Sequence, residues 1–300
     1  MMSEAMETVI LDTDIGTDID DALALAYLLR QPRCRLLGVT TCTGEPELRA
    51  EMVSAICRQA GRDDVPIHVG CPEAMLIEMR QKQADQARAL GDWSRARFPA
   101  GEQSAIAFLR DTIRANPGEI TLLAVGPLTN IGVLFTLDPE LPALLKQLVL
   151  MCGRFFTAMG GEWNAVGDPH ATAIAYGNTF HTRPPRHVSF GLDVTKQCVL
   201  TPDACRERFT ASVLAPVRDF AEVWFKRVPR VTFHDPLAAA CIFEPELCGY
   251  RTGHVRVSLT EPTMGWTVLD EGPDASPDHT VAAAVDPERF FEHYFGVVND

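Results

Sequence analysis

The sequence predicts an α/β fold: an open, mainly parallel (mixed) sheet with helices on both faces. Two observations point there. Short β-branched or apolar runs alternate with amphipathic stretches, which is the pattern of βα units in a sheet buried on both sides. Proline also recurs at expected helix starts directly after a strand or loop, at Gly126-Pro127, Asp168-Pro169 and Asp235-Pro236, where its fixed φ and missing N–H fit the first helical turn.

Taken in order, Thr8 to Leu11 is expected as the first strand and Asp21 to Leu29 as the helix after it. Further strands are expected at Arg35 to Thr41, Ile67 to Val69, Ile120 to Val125, Gln147 to Met151 and His187 to Phe190. The intervening helices fall at Glu47 to Gln59, Ser104 to Ala115 and Asp168 to Tyr176. Late strands are expected at Val255 to Leu259, Thr267 to Leu269 and Val281 to Val285, closed by a helix from Pro287 to Phe295. The stretch from Pro72 to Gly101 is polar and lacks a strand pattern, leaving helices or a mobile flap as its two readings. No repeat or low-complexity tract divides the chain, so residues 1–300 are expected to form one catalytic domain.

A net charge of -13 argues against nucleic acid as a partner, since phosphate binding needs clustered Lys and Arg. A metal cation or a neutral small molecule suits that charge. Nine cysteines without metal-ligand spacing read as thiols in a reducing compartment. No apolar run approaches the roughly 18 residues of a membrane span, and Met1 to Thr8 has no basic n-region. The expectation is a cytoplasmic protein without a membrane partner.

The strongest local signal is Asp12-Thr13-Asp14-Ile15-Gly16-Thr17-Asp18-Ile19-Asp20-Asp21, a run of carboxylates between an apolar strand and an apolar helix. Like charges this close raise one another's pKa unless a cation or a helix N-terminus compensates. A hard divalent ion meets that need: Ca2+ takes six to eight oxygen ligands at about 2.3 to 2.6 Å. A solvated acidic turn with a helix cap is the competing reading. The run occupies the first βα junction, where sites in open α/β sheets lie, and this favours the ion.

The same run resembles the N-terminal signature of the inosine-uridine preferring nucleoside hydrolase family, Asp-x-Asp-Pro-Gly-x-Asp-Asp before an Ala-rich helix. The resemblance continues in order through Val39-Thr40-Thr41, Ala124 to Ile131, Glu162-Trp163-Asn164 with Asp168-Pro169, Gly191 to Thr195, and His234-Asp235-Pro236. It implies a Rossmann-like fold of the nucleoside hydrolase type, a ribonucleoside substrate, bound Ca2+, and assembly as a homodimer or homotetramer. By the same resemblance Asp14, Asp21, Asp235 and the Val125 carbonyl are the metal ligands, and Asp20 is the general base. Glu162 and Asn164 contact ribose, and His234 lies beside the leaving base as a second catalytic residue, to protonate that base or to stabilise its negative charge.

This chain departs from the pattern at several places. Ile15 replaces Pro and two residues are added, so the adjacent carboxylates of the signature align with Asp18 or with Asp20; the apolar helical pattern beginning at Ala22 selects Asp20 and Asp21. Glu45 stands where an Asn that contacts ribose is common and is carried over as a substrate contact. Phe156 falls near another such Asn.

The reaction implied is attack of water on the anomeric carbon, with the ion orienting water and ribose diol and Asp20 taking the proton. Two rivals remain. A haloacid dehalogenase-type phosphatase would use Asp12 as nucleophile, but Gly16 stands where Thr or Val is expected, and His234-Asp235 would have no role. A non-catalytic, calcium-dependent ribose-binding homologue would bind nucleoside without releasing base. Base preference would depend on the flap and on the Lys226 to Phe233 approach, with Trp93, Phe98, Trp224 and Phe225 as aromatic candidates.

Overall fold

The computed structural model describes residues 5–156, 160–177 and 182–300. Eleven strands are present among them: β1 Glu7–Thr13, β2 Cys34–Thr41, β3 Ile67–Val69, β4 Ile120–Ala124, β5 Gln147–Met151, β6 His187–Phe190, β7 Val199–Leu200, β8 Val231–Thr232, β9 Cys248–Val257, β10 Thr267–Asp270 and β11 His279–Val285. The helices are α1 Asp20–Arg30, α2 Pro46–Gln59, α3 Ala105–Ala115, α4 Thr129–Leu137, α5 Trp163–Gly167 and α6 Pro169–Ala175. They continue as α7 Leu192–Thr195, α8 Pro202–Arg208, α9 Ala215–Phe225, α10 His234–Phe243 and α11 Pro287–Asn299.

Nine strands form one sheet in the order β10-β9-β11-β6-β5-β4-β1-β2-β3, and β7 pairs with β8 in a separate ribbon. Pairing is parallel from β3 through to β11 and antiparallel where β9 meets β11 and β10, so the expected mainly parallel, mixed sheet is what forms. Alternation along the strands divides the core. Val9, Leu11, Val149 and Met151 face α1, α2, α9, α10 and α11, whereas Ile10, Leu148 and Leu150 face α3, α4 and α6. Helix α1 is buried at every position from Asp20 to Leu29 because α10 and α11 cover the side turned from the sheet. That enclosure explains an apolar run with almost no polar face.

From β1 the chain steps outward to β2 and β3, then returns to the other side of β1 with β4, β5 and β6. The reversal opens a crevice between the carboxyl ends of β1 and β4, where ligands lie in open α/β sheets. Asp14 follows β1, Val125 follows β4, and Val125 N–H still bonds Asp12 O at 2.9 Å.

Several expectations need correction. The first late strand is β9, running Cys248–Val257 rather than Val255 to Leu259; it pairs antiparallel with β10 and β11, and its exposed polar residues hide its start. Helix α4 begins at Thr129, so Gly126-Pro127 is a loop before it rather than its first turn. Helices α8 and α9 were not anticipated. The Pro72 to Gly101 stretch holds one short 3-10 turn, Asp85–Ala89, and otherwise irregular backbone, not regular α-helix. It crosses the molecule as a strap tied down by side chains: Trp93 Nε1 donates to Asp219 at 2.9 Å and Arg227 to Asp85 at 2.6 Å. Among the described residues no helix is long and apolar enough to cross a membrane.

Candidate functional site

The acidic loop after β1 is shaped by a left-handed glycine and a buried arginine. Gly16 has φ +118°, which strains any side chain, and a Cβ there would lie 3.0 Å from Met52 Sδ, which would have to give way. Arg49 is wholly buried, and its guanidinium donates to the backbone carbonyls of Asp14, Ile15 (2.9 Å), Gly44 (2.9 Å) and Gln83 (3.3 Å). It holds the loop through its backbone. Among the described residues it forms no ion pair with the neighbouring carboxylates, although its charge still opposes the upward shift of Asp14 and Asp21.

Asp20 and Asp21 open α1, where the helix dipole favours negative charge. Asp235 arrives from the first turn of α10, and its N–H donates to Asp20 Oδ2 at 3.2 Å across 215 residues of sequence. Oxygens of Asp20, Asp21 and Asp235 lie within 4.8 Å of one another. Burial, followed by the neighbouring carboxylates, pushes all three well above the usual carboxylate range. Asp18, half-buried, is pushed up to about 7, chiefly by loss of solvent around its carboxylate. Asp14 is shifted upward chiefly by burial; its Oδ2 accepts from Gln81 Nε2 at 2.5 Å, and Thr13 Oγ1 donates to Asp21 at 2.5 Å.

Asp18, Asp20, Asp21 and Asp235 line the acidic floor of a cavity of about 120 Å³. Glu162, Trp163 and Asn164 form one wall, Val125 and Met151 another, and Leu192 and His234 close the remaining side. Glu162 caps α5, accepting the N–H groups of Gly153 (3.0 Å), Asn164 (2.7 Å) and Ala165 (2.9 Å). Those bonds fix its carboxylate, while burial raises its pKa. Asn164 Nδ2 donates to the carbonyls of Val125 (2.6 Å) and Met151 (3.0 Å), which leaves one lone pair of the Val125 oxygen. His234 Nδ1 sits 2.6 Å from Thr195 Oγ1, whose hydroxyl reaches Gly191 O at 3.2 Å. That chain places the ring proton on Nδ1 and leaves Nε2 an acceptor. Burial, then the charges of Lys196 and Arg230, lowers the ring's pKa to about 4.

The donor set suits a hard cation: several buried carboxylates with no paired cation, plus an available backbone carbonyl, are costly unless a positive ion shares them. The tight trio includes Asp20, the expected base, whereas Asp14 stands just outside it, held by Gln81. Asp235 sits within the first turn of α10 rather than at its cap. Glu45 is not brought to the cavity. Left-handed backbone at Thr43 and Glu45 turns it towards the strap, where its carboxylate accepts Ala84 N–H at 2.8 Å. Phe156 lies under the Arg251 guanidinium, 4.8 Å from its ring centre. Asp12 is fully buried, accepting from Thr40 and from Asn130 Nδ2 at 2.6 Å, so it has no approach path for the phosphate ester that the phosphatase reading requires.

Gln81 escaped sequence reasoning, being one amide in a polar stretch. Besides bonding Asp14, its Oε1 accepts from Trp163 Nε1 at 2.6 Å.

A family model, inosine-uridine preferring nucleoside hydrolase, matches residues 9–292. A non-specific ribonucleoside hydrolase of Salmonella paratyphi C is 32% identical, with 94% of each chain covered. A probable uridine nucleosidase of Arabidopsis thaliana is 30% identical, with 92% of each covered. Among solved structures, a purine-preferring ribonucleoside hydrolase from Gardnerella vaginalis superposes with a TM-score of 0.82 at 25% identity, covering 98% of both chains.

Proposed function

The chain belongs to the inosine-uridine preferring nucleoside hydrolase family and is an N-ribosyl hydrolase, and from that premise we propose that residues 1–300 act as one catalytic domain that cleaves ribonucleosides to free base and ribose, using Asp20 as general base beside a Ca2+ site. The observation that carries this reading is the convergence of Asp20, Asp21 and Asp235 in a cavity walled by Glu162 and Asn164. Asp14, Asp21, Asp235 and the Val125 carbonyl would hold the ion. When bound, it supplies fixed positive charge for orienting the ribose diol and water.

The protein groups divide the remaining work. The cavity face of Glu162, locked by its three backbone bonds, accepts from a ribose hydroxyl, and the Asn164 amide oxygen accepts from a second. Held this way, the sugar presents its anomeric carbon towards the α1 carboxylates. Asp20 takes the proton of the attacking water, whose oxygen bonds to that carbon as the C–N bond breaks and its electron pair leaves with the base. Positive charge developing on the ribosyl ring is stabilised by the acidic floor, a contribution made mainly in the transition state. His234 contacts the departing base; in the arrangement present, Nε2 accepts a hydrogen bond rather than giving one.

The nine free cysteines support a cytoplasmic setting, and a homodimer or homotetramer is the expected assembly. The test is a panel of nucleosides assayed for free ribose and free base, with and without a calcium chelator. Ribose release abolished by chelator and restored by Ca2+ is expected. Nucleoside binding without release of base would instead favour a ribose-binding homologue.

A further inference from the structure

A second, larger cavity of about 400 Å³ adjoins the first, sharing Asp18 and His234 with it. Val199 of β7, Thr232 of β8, Trp224 and Val228 line its walls, and Lys196 and Arg230 complete it. Two features set it apart from the acidic floor next door. It brings two cations together in a chain of net charge -13, and among the described residues neither makes a side-chain ion pair. Nearby arginines are engaged: Arg206 with Asp203 and Glu222, Arg227 with Asp85. Both cations act on His234 and Arg230 also acts on Asp18, so their fields reach the shared rim.

Position decides which part of a substrate enters. The ribose wall, Glu162 and Asn164, belongs to the first cavity only, and His234 separates the two. A group reaching the second cavity past His234 is therefore attached to the base and not to the sugar. Trp224 offers an aromatic wall whose placement is held by the bond from its Nε1 to Arg230 O at 2.8 Å. Two cations set against the Asp18 carboxylate leave a single net positive charge, which matches a monoanion. The volume lies in the range of small-molecule sites.

Resting on the proposed hydrolase reading, we propose that this cavity is a subsite for a carboxylate carried by the leaving base, held by Lys196 and Arg230, and that the enzyme prefers nucleosides of carboxylated pyrimidine or pyridine bases over their uncharged counterparts. Attraction across the cavity draws the substrate in, and the same positive charge favours a base that departs with the electron pair.

The experiment compares kcat/KM for matched pairs, a carboxypyrimidine riboside against uridine and a carboxypyridine riboside against its carboxamide, in the wild type and in Lys196→Gln and Arg230→Gln. Both positions are exposed, and using the ratio within each pair cancels differences in folded fraction. The expected result is a preference for the carboxylated member that falls at least tenfold in each variant and weakens as salt is raised. Ratios equal in all three proteins would overturn the subsite. So would an anionic preference directed at nucleoside 5′-monophosphates and lost in the same variants, since the cations would then serve a phosphate on the sugar. Absence of turnover with every nucleoside would mark failure of the hydrolase reading instead; hydrolysis of neutral nucleosides without carboxylate preference would refute the subsite alone.

Discussion

Gln81, carried by the strap, donates from Nε2 to Asp14 Oδ2 at 2.5 Å while its Oε1 accepts from Trp163 Nε1 at 2.6 Å. One buried amide thus joins a loop crossing the surface to a carboxylate beside the Asp20, Asp21 and Asp235 trio and to the wall of the candidate site cavity. A hydrogen bond to a charged acceptor is worth about 1.5 to 3 kcal/mol. Gln81→Leu is expected to weaken calcium binding about tenfold or more and to raise KM, both readable by chelator titration and steady-state kinetics. Unchanged values for both would show that the bridge is incidental.

Asp20, Asp21 and Asp235 sit within one another's reach, yet they should separate on substitution. Asp20→Asn is expected to lower kcat by about 100-fold or more, in the range of a lost general base, while retaining more calcium affinity than Asp21→Asn or Asp235→Asn. The check is calorimetric calcium titration beside single-turnover kinetics. Equal loss of metal in all three variants would abolish the division of roles.

Burial raises the pKa of Asp20, Asp21 and Asp235, so their charged forms oppose folding near neutral pH when no ion is shared among them. Calcium at 100 times its Kd should stabilise the fold by about 2.7 kcal/mol. Chelation should therefore lower Tm at pH 7 and do so less at pH 5, where protons replace the ion. A chelator effect that grows on acidification would contradict this.

His279 is buried at the sheet's antiparallel end, where Nδ1 accepts Val255 N–H at 3.0 Å and Nε2 lies 3.0 Å from Tyr176 O. Burial, then Arg183 and His254, lowers its pKa to about 4. The unfolded chain takes up this proton near pH 6.5, so the contribution is intact above that value and is lost as pH falls towards 4, by about 3 kcal/mol in all. Tm measured from pH 7 to 5 should fall more steeply in the wild type than in His279→Gln, and parallel curves would refute the assignment.

The parallel strands were legible because enclosure on both faces leaves nearly continuous apolar runs, as in β5, whose ends match the expectation. Strand β9 was displaced towards its end because it keeps Arg251 and Arg256 in solvent, mixing charge into the pattern. At the site, carboxylates adjacent in sequence could be read together, and Asp235 could be joined to them through the family resemblance. Gln81 and Arg49 could not, since each works by bonding to groups far along the chain that no local spacing marks. Nor does any local pattern mark that Glu45, on left-handed backbone at φ 59°, bonds Ala84 N–H of the strap.

The bond from Asp235 N–H to Asp20 Oδ2 joins residues 215 apart. A nascent chain therefore exposes its N-terminal carboxylates long before their partner leaves the ribosome, and until α10 docks those carboxylates lack Asp235. Growing polypeptides and fragments ending ahead of α10 should hydrolyse nothing, so the enzyme's activity is withheld until α10 has been made and has docked.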